Sequence, residues 1–201
     1  MLTVMLASWV VLAFILAWIA ESRLRGSPAP ISVLALAVGF AVAGMAARVM
    51  VFPEGLAPAI ATISLVAAAQ ADARSGFLFD AVTLPSAVLV LILVAVLGRT
   101  GEAAAGALPV TAAFGATIFL SRGRVLGMGD LKAMFVMAAA FGPLDSAIAL
   151  LVASLSGIGT TIVSGRFQRG AELRFGPHLA AGAIFTLLAG DPIARALARG
   201  S

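Results

Sequence analysis

VTLPSAVLVLILVAVLGRTGEAAAGALPVTAAFGATIFL, residues 82 to 120, contains two apolar runs, Val82–Leu97 and Ala103–Leu120, separated by a short break that includes Gly98, Arg99 and Gly101. Neither run carries a charge. A helix that crosses the hydrocarbon of a bilayer needs about 20 mostly apolar residues, with a range of roughly 17–25. Both runs are read as spans, and the same pattern extends outward from them. Towards the N-terminus lie Leu56–Ala71, then Ile31–Val51 ended by Pro53, Glu54 and Gly55, then the polar break Glu21–Pro30 (ESRLRGSPAP), then Leu2–Ala20. The length of Leu2–Ala20 and the lack of a basic stretch before it argue against a cleaved signal peptide. Towards the C-terminus, SRGRVLGMGD (121–130) precedes Leu131–Phe141, which is short and interrupted by Gly142-Pro143. Leu144–Val163 is long enough to span, Leu179–Ala189 is again short, and a basic tail closes the chain.

The expected architecture is an all-α, polytopic membrane protein. It is a bundle of about eight transmembrane or half-membrane helices forming one integral-membrane domain over residues 1–201. A short segment at membrane depth survives only where protein shields it from lipid. Abundant alanine and glycine fit helices that pack closely without a hydrophobic drive between them.

Composition agrees. Of the 201 residues, 62% are hydrophobic and 11% charged, against roughly 25% charged in a water-soluble domain. Such a chain cannot coat a soluble surface. The absence of cysteine removes disulfides, cysteine-based zinc sites and thiol catalysis. The single histidine, His178, excludes a multi-histidine metal cluster within one chain. No metal or other cofactor is expected. The 13 basic residues against 9 acidic ones read as loop charges holding a membrane orientation, not as a nucleic-acid surface. With eight crossings, nine of the basic residues fall in odd loops (Arg23, Arg25, Arg74, Arg122, Arg124, Lys132, Arg166, Arg169, Arg174). Four fall in even loops and the tail (Arg48, Arg99, Arg195, Arg199). The positive-inside rule then places the odd loops in the cytoplasm and both termini outside.

The acidic residues are the candidates for chemistry. Glu21, Glu54, Glu102 and Glu172 read as loop residues, Asp145 as a cap for the helix after Pro143, and Asp191 before Pro192 as a turn residue. Asp72 directly follows an apolar run, and Asp130 follows Gly127-Met128-Gly129 and precedes an apolar segment. The charge count puts both at the same membrane face. Ionisable groups in such places are costly and tend to be functional. Two structural readings compete with that one: Asp130 as the N-cap of a helix starting at Leu131, and Asp72 as an interfacial residue paired with Arg74. Two carboxylates brought close cannot both ionise cheaply, so one keeps its proton. The ionised one can take a proton from water while the protonated one polarises a peptide carbonyl. Aspartic proteolysis is one of the few hydrolytic chemistries this composition allows. Gly127 and Gly129 would let backbone turn sharply and a substrate strand approach.

Three motifs now bear on the identity of the chain. Gly127-Met128-Gly129-Asp130-Leu131-Lys132 resembles the GxGDxK form of the GxGD motif in bacterial type IV prepilin peptidases, a family of intramembrane aspartyl proteases. DARSGFLFDAVTLP (72–85) resembles the region of that family's other catalytic aspartate, with Asp80 and Leu84-Pro85 in the expected places and Phe79 where a proline is usual. Phe175-Gly176-Pro177-His178-Leu179-Ala180-Ala181-Gly182 is similar to the FGPxLAxGA segment that opens the family's last helix. Larger members carry a cytoplasmic domain after the first helix, often with two cysteine pairs. Here that interval is only Glu21–Pro30. The resemblance is therefore to the short prepilin peptidases, including those serving tight-adherence pili. It extends to peptidase activity and not to N-methylation of the product.

The resemblance implies a catalytic pair, Asp72 and Asp130, cleaving the short basic leader of a prepilin or pseudopilin just before its hydrophobic helix. It implies a multi-pass protein of the bacterial inner membrane with its active site facing the cytoplasm. Gly127 and Gly129 would admit the substrate backbone, while Asp80, Pro85, Phe175, Gly176 and Pro177 would support the site. Lys132 either favours ionised Asp130 or snorkels to the headgroups. His178 reads as interfacial and not catalytic. Two other readings remain: a small proton- or cation-coupled transporter, with acidic residues near the bilayer midplane, and a non-catalytic assembly factor.

Overall fold

The computed structural model describes residues 53–75, 80–123, 126–163 and 175–199, and the spans expected at Leu2–Ala20 and Ile31–Val51 lie outside them. The described residues form six helices: α1 (Leu56–Ser75), α2 (Asp80–Val96), α3 (Thr100–Ser121), α4 (Met128–Phe141), α5 (Pro143–Val163) and α6 (Gly176–Arg199). There is no strand among them.

α1 is the interior helix. Every residue from Ala57 to Ala69 is buried, and α1 packs against α2, α4 and α6. Its side chains are mostly small, which lets three neighbours approach it at once. The hydroxyls it buries are satisfied locally. Thr62 donates to the Pro58 carbonyl and Ser64 to the Ile60 carbonyl, each at 2.8 Å. Ser86 of α2 donates to Val82 and meets Ser64 across the α1–α2 contact. These bonds matter because an unpaired hydroxyl in an apolar interior costs roughly 1–3 kcal/mol.

α4 has 14 residues, about 21 Å at helical rise, which is too short to cross the hydrocarbon unaided. It is shielded as such a segment must be: Ala133, Met134 and the stretch from Val136 to Phe141 are all buried. The chain then turns at Gly142 and restarts at Pro143, whose missing N–H costs nothing at a first helical position.

α3 and α5 are long and apolar enough to cross a membrane, and little of each is buried, 17% and 28% of their apolar stretches. On α5 the exposed Leu151, Leu155, Ile158 and Ile162 recur at helical spacing along one face. Continuous apolar faces of that extent are foreign to a soluble monomer and suit contact with lipid. α5 and α6 meet at Gly182, where a Cβ would collide with the Ala149 carbonyl oxygen and lie 3.0 Å from its carbon.

The structure corrects four local expectations. Leu179–Ala189 is not a short segment: the helix runs from Gly176 to Arg199. It continues through Asp191-Pro192, so Asp191 is not a turn residue. Glu102 is not in a loop. It sits in the first turn of α3, where its carboxylate pairs with Arg99 at 2.8 Å and complements the positive end of the helix. Asp145 lies in the first turn of α5, inside the helix and not before it.

Candidate active site

Asp72 stands in the last turn of α1 and is only 5% exposed. Its Oδ2 accepts a hydrogen bond of 2.9 Å from the Gly176 amide, the first residue of α6. The local sequence explains this contact. The first N–H groups of a helix have no partner within it, and they sit at its positive end, which favours a carboxylate. At Gly176 a Cβ would stand 2.7 Å from Asp72 Oδ2 and 3.0 Å from its Cβ, so only glycine lets α6 come this close. Phe175 lies against the core, and its carbonyl accepts the Leu179 amide at 3.0 Å. Pro177 occupies the first turn, where no amide donor is required.

Asp130 is the third residue of α4. The helix starts at Met128 and its N-cap is Gly127, so the N-cap reading of Asp130 is corrected. The carboxylate folds back instead, and its Oδ2 accepts the Gly127 amide at 3.1 Å. This is half of a capping box, since glycine has no side chain to return the bond. Asp130 lies ahead of the apolar part of α4. Burial pushes its carboxyl above the ordinary carboxylate range, the Gly127 amide opposes that rise, and the negative charge of Asp72 adds to it. The two acids therefore lie within electrostatic reach of one another, on two helices that pack together. Gly127 and Met128 are exposed beside them.

Lys132 does not face Asp130, as one of its two readings had it. Its Nζ is 2.6 Å from Oδ1 of Asp80, at the first residue of α2, and it pairs there instead of with Asp130. Two residues on from Asp130 along a helix, it points to a different face. The pair joins α2 to the start of α4. Both side chains are at least one-third exposed, so the Lys132→Gln variant should cost at most about 1 kcal/mol of stability. That loss should shrink in high salt, read as the unfolding midpoint of the purified protein at two salt concentrations. Pro85 lies within α2 and is exposed; it touches neither aspartate by any hydrogen bond.

Sequence reasoning passed over Ser156 and Thr160 of α5. His178 Nδ1 is 2.7 Å from Ser156 Oγ, and Nε2 is 3.3 Å from Thr160 Oγ1. The signal was present as two hydroxyls four residues apart on one helix, but which helix they would face was not. Among the described residues, no group of three or more His, Cys, Asp or Glu side chains is placed to hold a metal.

Residues 59–162 match the type IV leader peptidase family. The chain belongs to that family. The match includes Asp72, Asp80, Pro85, Gly127, Gly129, Asp130 and Lys132 and ends before α6. Membership in this leader peptidase family makes the protein a peptidase of the prepilin-processing kind, and α3 and α5 fit a membrane-embedded family. Comparison with curated proteins and with solved structures returns no match.

Proposed function

We propose that this leader peptidase is an aspartic endopeptidase that removes the short basic leader of a prepilin or pseudopilin, with Asp72 and Asp130 as the catalytic pair. The observation that carries this reading is that Asp72, 58 positions before Asp130 in the chain, is buried at the end of α1 on an α6 amide, and that its charge reaches Asp130 at the start of α4. The helix amide on Asp72 favours its carboxylate, and burial favours the proton on Asp130.

The chemistry follows from that division. Asp72 takes a proton from water as the water oxygen attacks the scissile carbonyl, and Asp130 gives its proton to the carbonyl oxygen. A neutral tetrahedral diol results. In the second step Asp72 passes its proton to the leaving nitrogen, Asp130 recovers one from the diol, and the C–N bond breaks. The pair returns to its starting state, as general acid–base catalysis requires. The substrate helix would lie among the enzyme's helices in the bilayer, with its leader at the cytoplasmic face to which the basic odd loops assign the site.

The test is co-expression with candidate prepilins and N-terminal sequencing of the product. A new N-terminus immediately before the hydrophobic helix is expected, and none should appear with an Asp130→Asn chain. Uncleaved precursor with every candidate, in membranes that hold the folded protein, would count against the proposal. The transporter alternative needs its acids near the midplane. Asp72 and Asp130 occupy the last turn of one helix and the first turn of another.

A further inference from the structure

Gly182 fixes the N-terminal third of α6 on α5, but Asp72 is held six residues earlier, by the Gly176 amide. Six residues of helix span about 9 Å, so a tilt of about 10° about the Gly182 contact would move Gly176 by about 1.5 Å. That displacement is enough to break a 2.9 Å hydrogen bond. The buried Leu179 and Ala180 hold this turn by apolar packing, which has no fixed direction; His178 adds a directional attachment to α5.

The proton positions follow from the hydroxyls. Thr160 donates its own proton to the Gly157 carbonyl at 2.9 Å, so Nε2 of His178 donates to Thr160 Oγ1 and Nδ1 accepts from Ser156. In this tautomer a neutral ring has both nitrogens engaged, two residues from the amide that holds Asp72. Among the described residues, Asp130 from α4 and His178 from α6 are titratable groups on which the charge of Asp72 acts.

We propose that His178 is a positioning residue: by tying the first turn of α6 to Ser156 and Thr160 of α5, it keeps the Gly176 amide on Asp72 and so keeps Asp72 the ionised, proton-accepting member of the pair. Its catalytic consequence rests on the peptidase reading above; the positioning itself does not.

Two measurements on the full chain in detergent separate these claims. The first is the titration of Asp72 by carbon-13 NMR of carboxyl-labelled aspartate in an Asp130→Asn background, with the signal assigned by its loss when Asp72→Asn is added. His178→Leu and the smaller Ser156→Ala should each raise the Asp72 midpoint by about one pH unit, since the ionised form loses its donor. His178→Asn places an oxygen where Nδ1 stood and should leave the midpoint near that of the parent. The second is cleavage of a synthetic peptide with a basic leader and a hydrophobic helix, by chains that retain Asp130. His178→Leu should lower kcat about tenfold with KM little changed, and His178→Asn should recover most of that loss. An unmoved midpoint in both His178→Leu and Ser156→Ala would overturn the proposal. So would a midpoint shifted as far by His178→Asn as by His178→Leu, or a fall in kcat without a shift. Absence of cleavage by the unmutated chain would overturn the peptidase reading, while the titration would still decide the role of His178.

Discussion

Asp72→Asn and Asp130→Asn are each expected to lower prepilin cleavage by about 10³-fold or more, while the protein stays folded and inserted. The argument is one of charge at constant shape. An asparagine at 72 keeps an oxygen that can accept the Gly176 amide, so α6 remains docked where the 2.9 Å bond now holds it. It cannot take a proton from water. An asparagine at 130 keeps an acceptor for the Gly127 amide, so the start of α4 is preserved. It has no acidic proton for the carbonyl oxygen. The check is mass analysis of the cleaved product, alongside circular dichroism and gel filtration of each purified variant. Near-normal processing by either variant would remove that residue from the catalytic pair. Misfolding of both would show the carboxylates to be structural, as the capping and interfacial readings would have it.

Gly182→Val should be strongly destabilising. The added Cβ would strike the Ala149 carbonyl oxygen and lie 3.2 Å from the Ala153 nitrogen. These are backbone atoms of α5, which cannot rotate away as a side chain would. The helices must part along the contact they make through Ala149, Ala153 and Ala183, all buried with no measurable exposure. Overpacking of this kind costs about 1–3 kcal/mol, and occasionally more where backbone must move. The measurement is resistance to unfolding in mixed detergent. Gly115→Ala serves as the control, because nothing lies within 4 Å of a Cβ at that position. The control should be neutral or gain up to about 1 kcal/mol, since alanine loses less backbone freedom in a helix. Equal stability of the two variants would show that α5 and α6 are not tightly joined at Gly182.

The helices of this bundle were legible because an apolar run ended by charge, glycine or proline has few other solutions. Val82–Leu97 and Ala103–Leu120 correspond to α2 and α3 within a few residues. The proposal of Asp72 and Asp130 as a pair came from a related constraint: few chemistries remain for a chain without cysteine and with one histidine, and the glycine motif pointed to one of them. The spatial partners were not legible. Lys132 was weighed against its near neighbour Asp130 and against the headgroups, whereas its partner, Asp80, is 52 positions away across a helix contact. The α6 boundary was missed because the polar Asp191-Pro192 pair reads as a stop, and tertiary context overrode that local preference. Gly176 was read as supporting the site, but its role as a donor to Asp72 depends on where α1 ends, which no local pattern encodes.

The short α4 has one more consequence. It is joined to α5 through Gly142, and α5 has 21 residues, a rise of about 31 Å against about 21 Å for α4. The two cannot both match one hydrocarbon thickness of about 30 Å. The bilayer beside α4 must thin, or its neighbouring helices must screen the gap. On the proposed reading, lipid chain length becomes a variable of cleavage, because acyl chains of different length would change how far the start of α4 stands from water.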